Sequence, residues 1–302
     1  MQSNLERVPD VKKIAVLRAN ALGDLIFSLP ALSALRGAYP GAEIVLLGQR
    51  WHYDLFNNRP GPVDRAIVVP RSRGINGPET MEEPHGEDAL ELERFFQAQR
   101  AEGYDVAIQL HGGGKFSNPF IQRLGARITV GLRAPGASKL DRWVPYRYFQ
   151  PEILRFLEVV GLVGAPPVTL EPHFSITAAD LQESRLVVPE ELGEFVVIHP
   201  GAGDPTRRWA PEKFAAVAAS LAGQGMNVVL TGTEPERDLI ERVFSACVYP
   251  VQNLCGRLSM GGLAGLMSRS QLVISNDSGP LHLAEAVGAR TVGIYWCGNL
   301  IN

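Results

Sequence analysis

The sequence predicts an α/β protein with two Rossmann-like domains, each built on a parallel sheet with helices on both faces. Strand-like and helix-like segments alternate along nearly the whole chain, which is the pattern of such sheets. The length of 302 residues exceeds the usual size of a single core. The proline-rich segment Val163–Pro172 indicates a linker. We therefore expect domains over residues 1–168 and 169–302, with their sheets facing a central ligand cleft.

The first half contains short apolar runs that predict buried strands and two longer segments that predict helices. Strands are expected at Lys13–Leu17, Glu43–Leu47, Ala66–Val69, Val106–Leu110 and Ile128–Val130, and helices at Asp24–Arg36 and Glu87–Arg100. The segment Arg71–Gly86 is polar and rich in glycine, proline and glutamate. That composition predicts a mobile loop outside the core.

The second half alternates more regularly. Strands are expected at Phe195–His199, Val228–Thr231, Leu272–Ser275 and Thr291–Tyr295, and helices at Pro211–Ala222, Pro235–Phe244, Met260–Ser268 and Leu281–Val287. This regular succession of strand and helix predicts the second parallel sheet.

Composition excludes several function classes. A net charge of −3 gives no case for a nucleic-acid partner. The polar N-terminus lacks the apolar core of a signal peptide, and no uncharged apolar run approaches the roughly 18 residues that span a bilayer. The cysteines Cys247, Cys255 and Cys297 lack zinc-type spacing, which indicates reduced thiols. We expect a cytoplasmic protein, and contact with a membrane surface stays open.

One strand-to-helix turn in the second half carries the residue types of an anion site. Asp277 and Ser278 are helix-capping residues, and Pro280 suits the first helical position. Gly279 lets a ligand approach the backbone, because it has no Cβ. The N–H groups and positive dipole end of a helix start favour an anion. The turn His199–Trp209 is comparable, since its glycines precede two arginines that would suit a phosphate or diphosphate.

The common nucleotide-binding motifs are absent. The first strand-to-helix turn, Arg18–Asp24, has one glycine where a dinucleotide-binding fold needs G-x-G-x-x-G. The segment Gly112–Lys115 lacks the leading glycine of a P-loop and the Ser or Thr that follows its lysine. No Asp-x-Asp pair that could hold a metal on a diphosphate occurs in the chain. We therefore expect no metal site and no cofactor, with arginines and helix N-termini neutralising a bound diphosphate instead.

Asp24 lies where a helix begins after a buried strand, at the sheet edge where ligands bind. A carboxylate in this place is either a general base in the cleft or an acid that stabilises the helix dipole. The residue alone does not separate these two interpretations.

Three motifs together resemble glycosyltransferase family 9, the heptosyltransferases of lipopolysaccharide core synthesis and their relatives. They are R-x-x-x-x-G-D at Arg18–Asp24, H-P-G-x-G at His199–Gly203 with a basic residue two before Trp209, and N-D-S-G-P-x-H at Asn276–His282. The resemblance implies a GT-B fold and a metal-independent, inverting transfer. The sugar would be a heptose or a related sugar, taken from a nucleotide-diphospho-sugar such as ADP-heptose to a hydroxyl of a glycan or lipid-linked acceptor.

The resemblance also implies roles for single residues. Asp24 matches the base that deprotonates the acceptor hydroxyl, and Arg207 matches a residue on the donor diphosphate. Glu236 matches an acid facing the nucleoside ribose, and an ordinary acid in the first turn of a helix is the alternative at this position. The diphosphate-binding helix start would comprise Asp277, Ser278, Gly279 and His282. Arg18 and Lys115 are the candidates for acceptor binding, within a segment, Lys115–Arg147, that holds seven basic residues and one acid.

Two other functions stay open. One is a GT-B-fold epimerase or hydrolase that acts on the nucleotide sugar alone. The other is a truncated member that binds nucleotide without transfer, because members of the family usually continue past the strand at Thr291–Tyr295 with a helix that returns to the N-terminal domain. The end at Asn302 predicts either a shortened chain or the absence of that helix. The acidic segment Glu79–Glu93 matches nothing in the family.

Overall fold

The computed structural model describes residues 6–82 and 85–295, which form two compact units that divide between Pro172 and His173. The first unit holds a six-stranded sheet and the second a five-stranded sheet. Every pairing between these described strands is parallel. The predicted α/β class is therefore confirmed. The division lies at the end of the proline-rich segment.

In the first unit the strand order is β3-β2-β1-β4-β5-β6, so the chain changes direction across the sheet between β1 and β4. Ligands of such sheets bind at the carboxyl ends of the strands beside this switch point. The strands are β1 Lys13–Leu17, β2 Glu43–Gly48, β3 Arg65–Val68, β4 Val106–Gln109, β5 Ile128–Arg133 and β6 Arg142–Pro145, and the helices are α1 Leu22–Ala38, α2 Arg50–Phe56, α3 Gly86–Ala101, α4 Ser117–Gln122 and α5 Glu152–Gly161.

The second unit repeats this order as β11-β10-β7-β8-β9, with its switch point between β7 and β10. Short 3₁₀ helices cover Glu190–Leu192, Pro205–Arg207 and Glu234–Glu236. The strands are β7 Phe195–His199, β8 Asn227–Leu230, β9 Gln252–Asn253, β10 Leu272–Asn276 and β11 Thr291–Ile294, and the helices are α6 Ala178–Val187, α7 Pro211–Gly223, α8 Arg237–Ala246, α9 Met260–Arg269 and α10 Gly279–Ala286.

The central strands are buried on both faces, as their continuous apolar runs require. Residues 14–17 of β1 and 197–198 of β7 are fully buried. The helices begin where capping chemistry allows. Pro211 occupies the first turn of α7, and the Ser259 hydroxyl accepts a hydrogen bond from the Gly262 N–H at 3.0 Å at the start of α9.

The helices α2, α4, α5 and α6 and the strands β6 and β9 do not appear among the elements predicted from the sequence. Helix α6 packs against α9 at Gly265, where a Cβ would lie 2.4 Å from the backbone oxygen of Asp180. A glycine in a helix interior destabilises that helix. At Gly265 the missing Cβ allows α6 to approach α9 closely.

The expectation that Arg71–Gly86 lies outside the core is wrong for its first part. Ile75 is buried and packs in the same apolar cluster as Val69. The Asn76 side chain accepts a hydrogen bond from the Ser72 N–H at 2.7 Å and donates one to the Val69 carbonyl at 2.9 Å. These local bonds let a polar sequence turn one apolar side chain inward.

None of the helices in the described parts of the chain is long and apolar enough to cross a membrane. Cys247 and Cys255 are free thiols, as expected, and Cys297 lies outside the described residues.

Two buried histidines fix the loop that follows β1. The His111 ring accepts a hydrogen bond from the Ala19 N–H at 3.4 Å, and the Gln49 side chain donates to the Ala19 carbonyl at 2.6 Å. Gln49 in turn donates its own N–H to the His52 ring at 2.9 Å. Burial and, to a smaller extent, the positive charge of Arg18 lower the pKa of His52 to about 3 and that of His111 to about 4. Both rings are therefore neutral at neutral pH.

We expect these histidines to make the protein less stable as the pH falls from 7 to 5. Their pKa values in the folded chain lie below the unfolded value near 6.5, so the unfolded state binds more protons in this window. Each should cost about 2 kcal/mol of unfolding free energy between pH 7 and pH 5. Urea denaturation at the two pH values measures the difference.

The double variant His52→Gln/His111→Gln should lose much of this pH dependence, because glutamine does not titrate. The matched control is His173→Gln, since His173 is exposed. A double variant that keeps the whole wild-type loss of stability would show that other groups cause it.

Candidate active site

A buried guanidinium lies at the switch point of the first unit, between the ends of β1 and β4. Arg18 directly follows β1 and is 2% exposed. Its Nε donates to the backbone carbonyl of Asp24 at 3.1 Å, and its Nη1 donates to the carbonyl of Leu110, which follows β4. The Phe156 ring lies 4.7 Å from the guanidinium carbon. Burying such a cation costs several kcal/mol unless carboxylates pair with it.

Two carboxylates supply that pairing. Arg18 Nη2 lies 3.1 Å from Asp24 Oδ1 and 3.6 Å from Glu152 Oε2. Asp24 is in the first turn of α1 with 37% of its side chain exposed, whereas Glu152 begins α5 and is more buried. Burial lowers the pKa of Arg18, and the charges of Asp24 and Glu152 oppose this. Asp24 therefore pairs with the buried Arg18, and its own carboxylate is partly exposed to solvent.

The Glu152 carboxylate is shared with a second buried cation. Its Oε1 accepts a hydrogen bond from Arg155 Nη1. Burial raises the pKa of Glu152, while the positive charges of Arg18 and Arg155 oppose the rise. The side chains of Asp24, Arg18, Glu152 and Arg155 thus form a row of alternating charge, which we call the charged row.

The two residues predicted to bind an acceptor differ in their surroundings. Arg18 is enclosed and bonded within the protein, so we interpret it as the residue that holds Asp24. Lys115 is exposed, and its Nζ lies 2.9 Å from Glu79 Oε2. Glu93, also in the acidic segment, pairs with Arg100 and Arg123 at 2.8 Å and 2.7 Å. Several charges of the acidic and basic segments therefore neutralise one another.

In the second unit, a buried side-chain amide lies at the equivalent switch point, between β7 and β10. Asn276, the last residue of β10, donates from Nδ2 to the Pro200 carbonyl at 2.6 Å and accepts from the Trp209 N–H at 3.0 Å. It thereby joins the turn after β7 to the segment that carries Arg207. The sequence analysis did not select Asn276, although it begins the N-D-S-G-P-x-H motif. Its position at the end of a strand, directly before Asp277, could have indicated a residue of the site.

Asp277 contacts two basic side chains of the protein. It is 2% exposed, its Oδ2 lies 3.2 Å from Arg207 Nη1, and its Oδ1 lies 3.4 Å from His282 Nε2. An ionised carboxylate only accepts hydrogen bonds, so Asp277 holds Arg207 and His282 in place. Arg207 itself is exposed at 45%, which leaves part of its guanidinium accessible.

Helix α10 starts beside these groups. Ser278 is its N-cap, with the Ser278 and Ser275 hydroxyls 3.2 Å apart. The first N–H groups of a helix have no intrahelical partner, and here the first of them belongs to Gly279. A helix start, an arginine and a histidine therefore lie around the buried Asp277. The helix start and the arginine are groups that favour a bound anion.

Glu236 caps the turn in which it lies, as the alternative of an acid at a helix start predicts. Its Oε2 accepts hydrogen bonds from the N–H and hydroxyl of Thr233, at 2.9 Å and 2.7 Å. A Cβ at Gly201 would lie 2.1 Å from Glu236 Oε1, so any larger residue there would displace the Glu236 carboxylate. Burial acts to raise the pKa of Glu236, but the Thr233 bonds and the charges of His199 and Arg208 lower it overall. Glu236 is a fixed anion, and its contact with a ribose stays a prediction.

Across residues 6–82 and 85–295, no group of three or more His, Cys, Asp and Glu side chains is arranged to hold a metal ion. The residues predicted to bind an anion, Arg207 and the start of α10, lie together in the second unit.

The profile of Glycosyltransferase family 9 (heptosyltransferase) matches residues 92–299. The chain is 26% identical to lipooligosaccharide heptosyltransferase 2 of Haemophilus influenzae over 93% of this chain and 82% of that protein. It is 24% identical to lipopolysaccharide heptosyltransferase 3 of Escherichia coli over 92% of this chain and 85% of that protein.

Solved structures share the fold. The family 9 glycosyltransferase of Veillonella parvula superposes with a TM-score of 0.77 at 21% identity, covering 97% of this chain and 87% of that one. E. coli ADP-heptose LPS heptosyltransferase II gives 0.75 at 20% identity, covering 94% and 84%. This likeness confirms the predicted GT-B-like class. The family match covers more than half of the sequence, so the chain belongs to glycosyltransferase family 9.

Proposed function

We propose that this glycosyltransferase moves a heptose, or a related sugar, from ADP-heptose to a hydroxyl of a glycan or lipid-linked acceptor in lipopolysaccharide core synthesis. The names of the relatives support the sugar and the pathway. The observation that carries the proposal is the Asp24 carboxylate, held by buried Arg18 yet partly open to solvent at the switch point of the first unit.

The transfer is a single displacement. Asp24 takes the proton from the acceptor hydroxyl while that oxygen attacks the anomeric carbon from the face opposite the leaving group. The bond from this carbon to the diphosphate oxygen breaks, and ADP departs. One attack from the opposite face inverts the configuration, so a single carboxylate is sufficient as the base.

The leaving diphosphate is stabilised in the second unit. Arg207 and the N–H of Gly279 donate to its oxygens, and Ser278 and His282 complete the contacts at the start of α10. Asp277 holds Arg207 and His282 in place. Glu236 contacts the ribose. In this proposal arginine and helix dipole carry the charge that a divalent metal carries in other transferases, and no cofactor takes part.

We expect Asp24→Asn and Arg207→Gln to affect different steps. Asn cannot accept the proton, so kcat should fall by about 10²–10⁴ while ADP affinity is kept. Arg207→Gln removes a charged hydrogen-bond donor and should weaken ADP binding by about tenfold to a hundredfold. Calorimetric ADP titration and product formation from ADP-heptose with a heptose-deficient lipopolysaccharide acceptor measure both.

The matched controls are Asp54→Asn and Arg290→Gln, because Asp54 and Arg290 are exposed residues of the same two units. Full activity of Asp24→Asn would contradict the assignment of the base. Wild-type consumption of ADP-heptose at the same rate without acceptor would favour an epimerase or hydrolase. Binding of ADP with no turnover for any acceptor would favour a nucleotide-binding protein without transfer activity.

We expect the transfer rate to be unchanged after incubation with excess EDTA, since the proposed diphosphate site consists of Arg207 and backbone N–H groups. The measurement is the initial rate before and after chelation, followed by addition of Mg²⁺. A loss of activity that Mg²⁺ restores would overturn the metal-independent mechanism.

We further propose that the protein works in the cytoplasm and contacts the inner face of the membrane through Tyr148 and Phe149, the aromatic tip. These side chains are 74% and 77% exposed, with their rings edge to face 5.0 Å apart. Arg155 Nη2 donates to the carbonyls of Arg147, Tyr148 and Gln150 at 2.6–3.1 Å, which fixes the backbone beneath them. A rigid exposed aromatic pair beside exposed Arg147 suits an anionic lipid interface.

The variant Tyr148→Ser/Phe149→Ser should bind vesicles of phosphatidylglycerol and phosphatidylethanolamine at least about tenfold more weakly than wild type, because it loses two apolar anchors. Co-sedimentation measures this. Leu186→Ser is the control, since Leu186 is 76% exposed in the other unit. Equal sedimentation of the double variant and wild type would contradict the role of the aromatic tip.

A further inference from the structure

Glu152 lies between the two buried guanidinium groups of the first unit. Its Oε2 is 3.6 Å from Arg18 Nη2, and its Oε1 bonds Arg155 Nη1. Arg155 is as deeply buried as Arg18 and is held by three backbone carbonyls, so it is a fixed cation. Glu152 is therefore held between two cations, and one of them, Arg18, is also the partner of Asp24.

We propose that Glu152 is a positioning residue for catalysis, which acts through Arg18 to set the orientation and basicity of the Asp24 carboxylate. This inference rests on the proposed function, in which Asp24 is the base. Glu152 itself touches no substrate in this mechanism.

Two carboxylates share the single positive charge of Arg18. Asp24 and Glu152 both face its Nη2, so each takes part of the attraction of one cation. Without the Glu152 charge, Asp24 is the only carboxylate paired with Arg18 among the contacts of the charged row. It is then held more tightly and is a weaker base. Glu152 is also a like charge near Asp24, and its loss acts in the same direction.

The other charged and titratable groups around Arg18 do not replace Glu152. Arg155 of α5 is a cation, and Tyr146, which follows β6, carries a phenol and no carboxylate. His52 of α2 and His111, which follows β4, are neutral because burial lowers their pKa values to about 3 and about 4. Glu152 is therefore the second carboxylate, after Asp24, that faces Arg18.

The closing experiment is Glu152→Gln, which keeps the shape and removes the charge. We expect kcat to fall by about tenfold to a hundredfold, in line with the cost of a misplaced catalytic group. The acidic limb of the kcat–pH profile should shift to lower pH, and the KM for ADP-heptose should stay as in wild type. Glu152→Asp, which restores the charge, should recover part of the rate and move the limb back.

A double-mutant cycle separates positioning from a general loss of structure. If Glu152 acts through Asp24, the variant Asp24→Asn/Glu152→Gln should have the same kcat as Asp24→Asn alone. The matched control is Glu158→Gln, which makes the same change at an exposed position of the same helix. Melting temperatures of all variants show whether the fold is kept.

The outcomes separate failure of this inference from failure of the proposed function. If wild type is active and Asp24→Asn is slow, but Glu152→Gln retains the wild-type rate and pH profile, the positioning role is overturned. A rate loss without a shift of the acidic limb, or one that multiplies with that of Asp24→Asn, also overturns it. If wild type transfers no sugar, or Asp24→Asn is fully active, the proposed function fails instead.

Discussion

The ion pairing of one buried arginine constrains much of the first unit. Arg18 lies at the switch point of the sheet, where a guanidinium is tolerated only if its charge and its N–H groups are satisfied. The Asp24 and Leu110 carbonyls satisfy part of it, and two carboxylates supply the opposite charge. The start of α1, the end of β4 and the start of α5 are thereby tied to one side chain. A carboxylate can then be presented to solvent in a defined orientation.

In the second unit, a neutral side chain holds the loops at the switch point together. β7 and β10 are neighbours, as β1 and β4 are in the first unit. Asn276 crosses from the end of β10 to the Pro200 carbonyl and to the Trp209 N–H. In each unit, one buried polar side chain at the switch point fixes the loops that carry the candidate functional residues. The difference suits the proposed roles, since one unit presents a base and the other receives an anion.

Local sequence patterns were sufficient for most of the central strands. β1 and β7 have the predicted bounds, because a continuous apolar run has few alternatives to a buried strand. Glu152 and Arg155 could not be found in this way. Their importance depends on α5 lying beside Arg18, which is a contact across more than a hundred residues of sequence. For Glu236 the sequence left a ribose contact and an acid at a helix start open, and the bonds to Thr233 show that it caps its turn.

The most direct test of this account is a crystal structure of the protein with ADP and an intact acceptor. We predict that diphosphate oxygens contact Arg207 and the Gly279 N–H, and that an acceptor hydroxyl lies about 3 Å from the Asp24 carboxylate. Arg18 should keep its bonds to both Asp24 and Glu152. A diphosphate bound away from the start of α10, or an acceptor hydroxyl bonded to another base, would contradict the account.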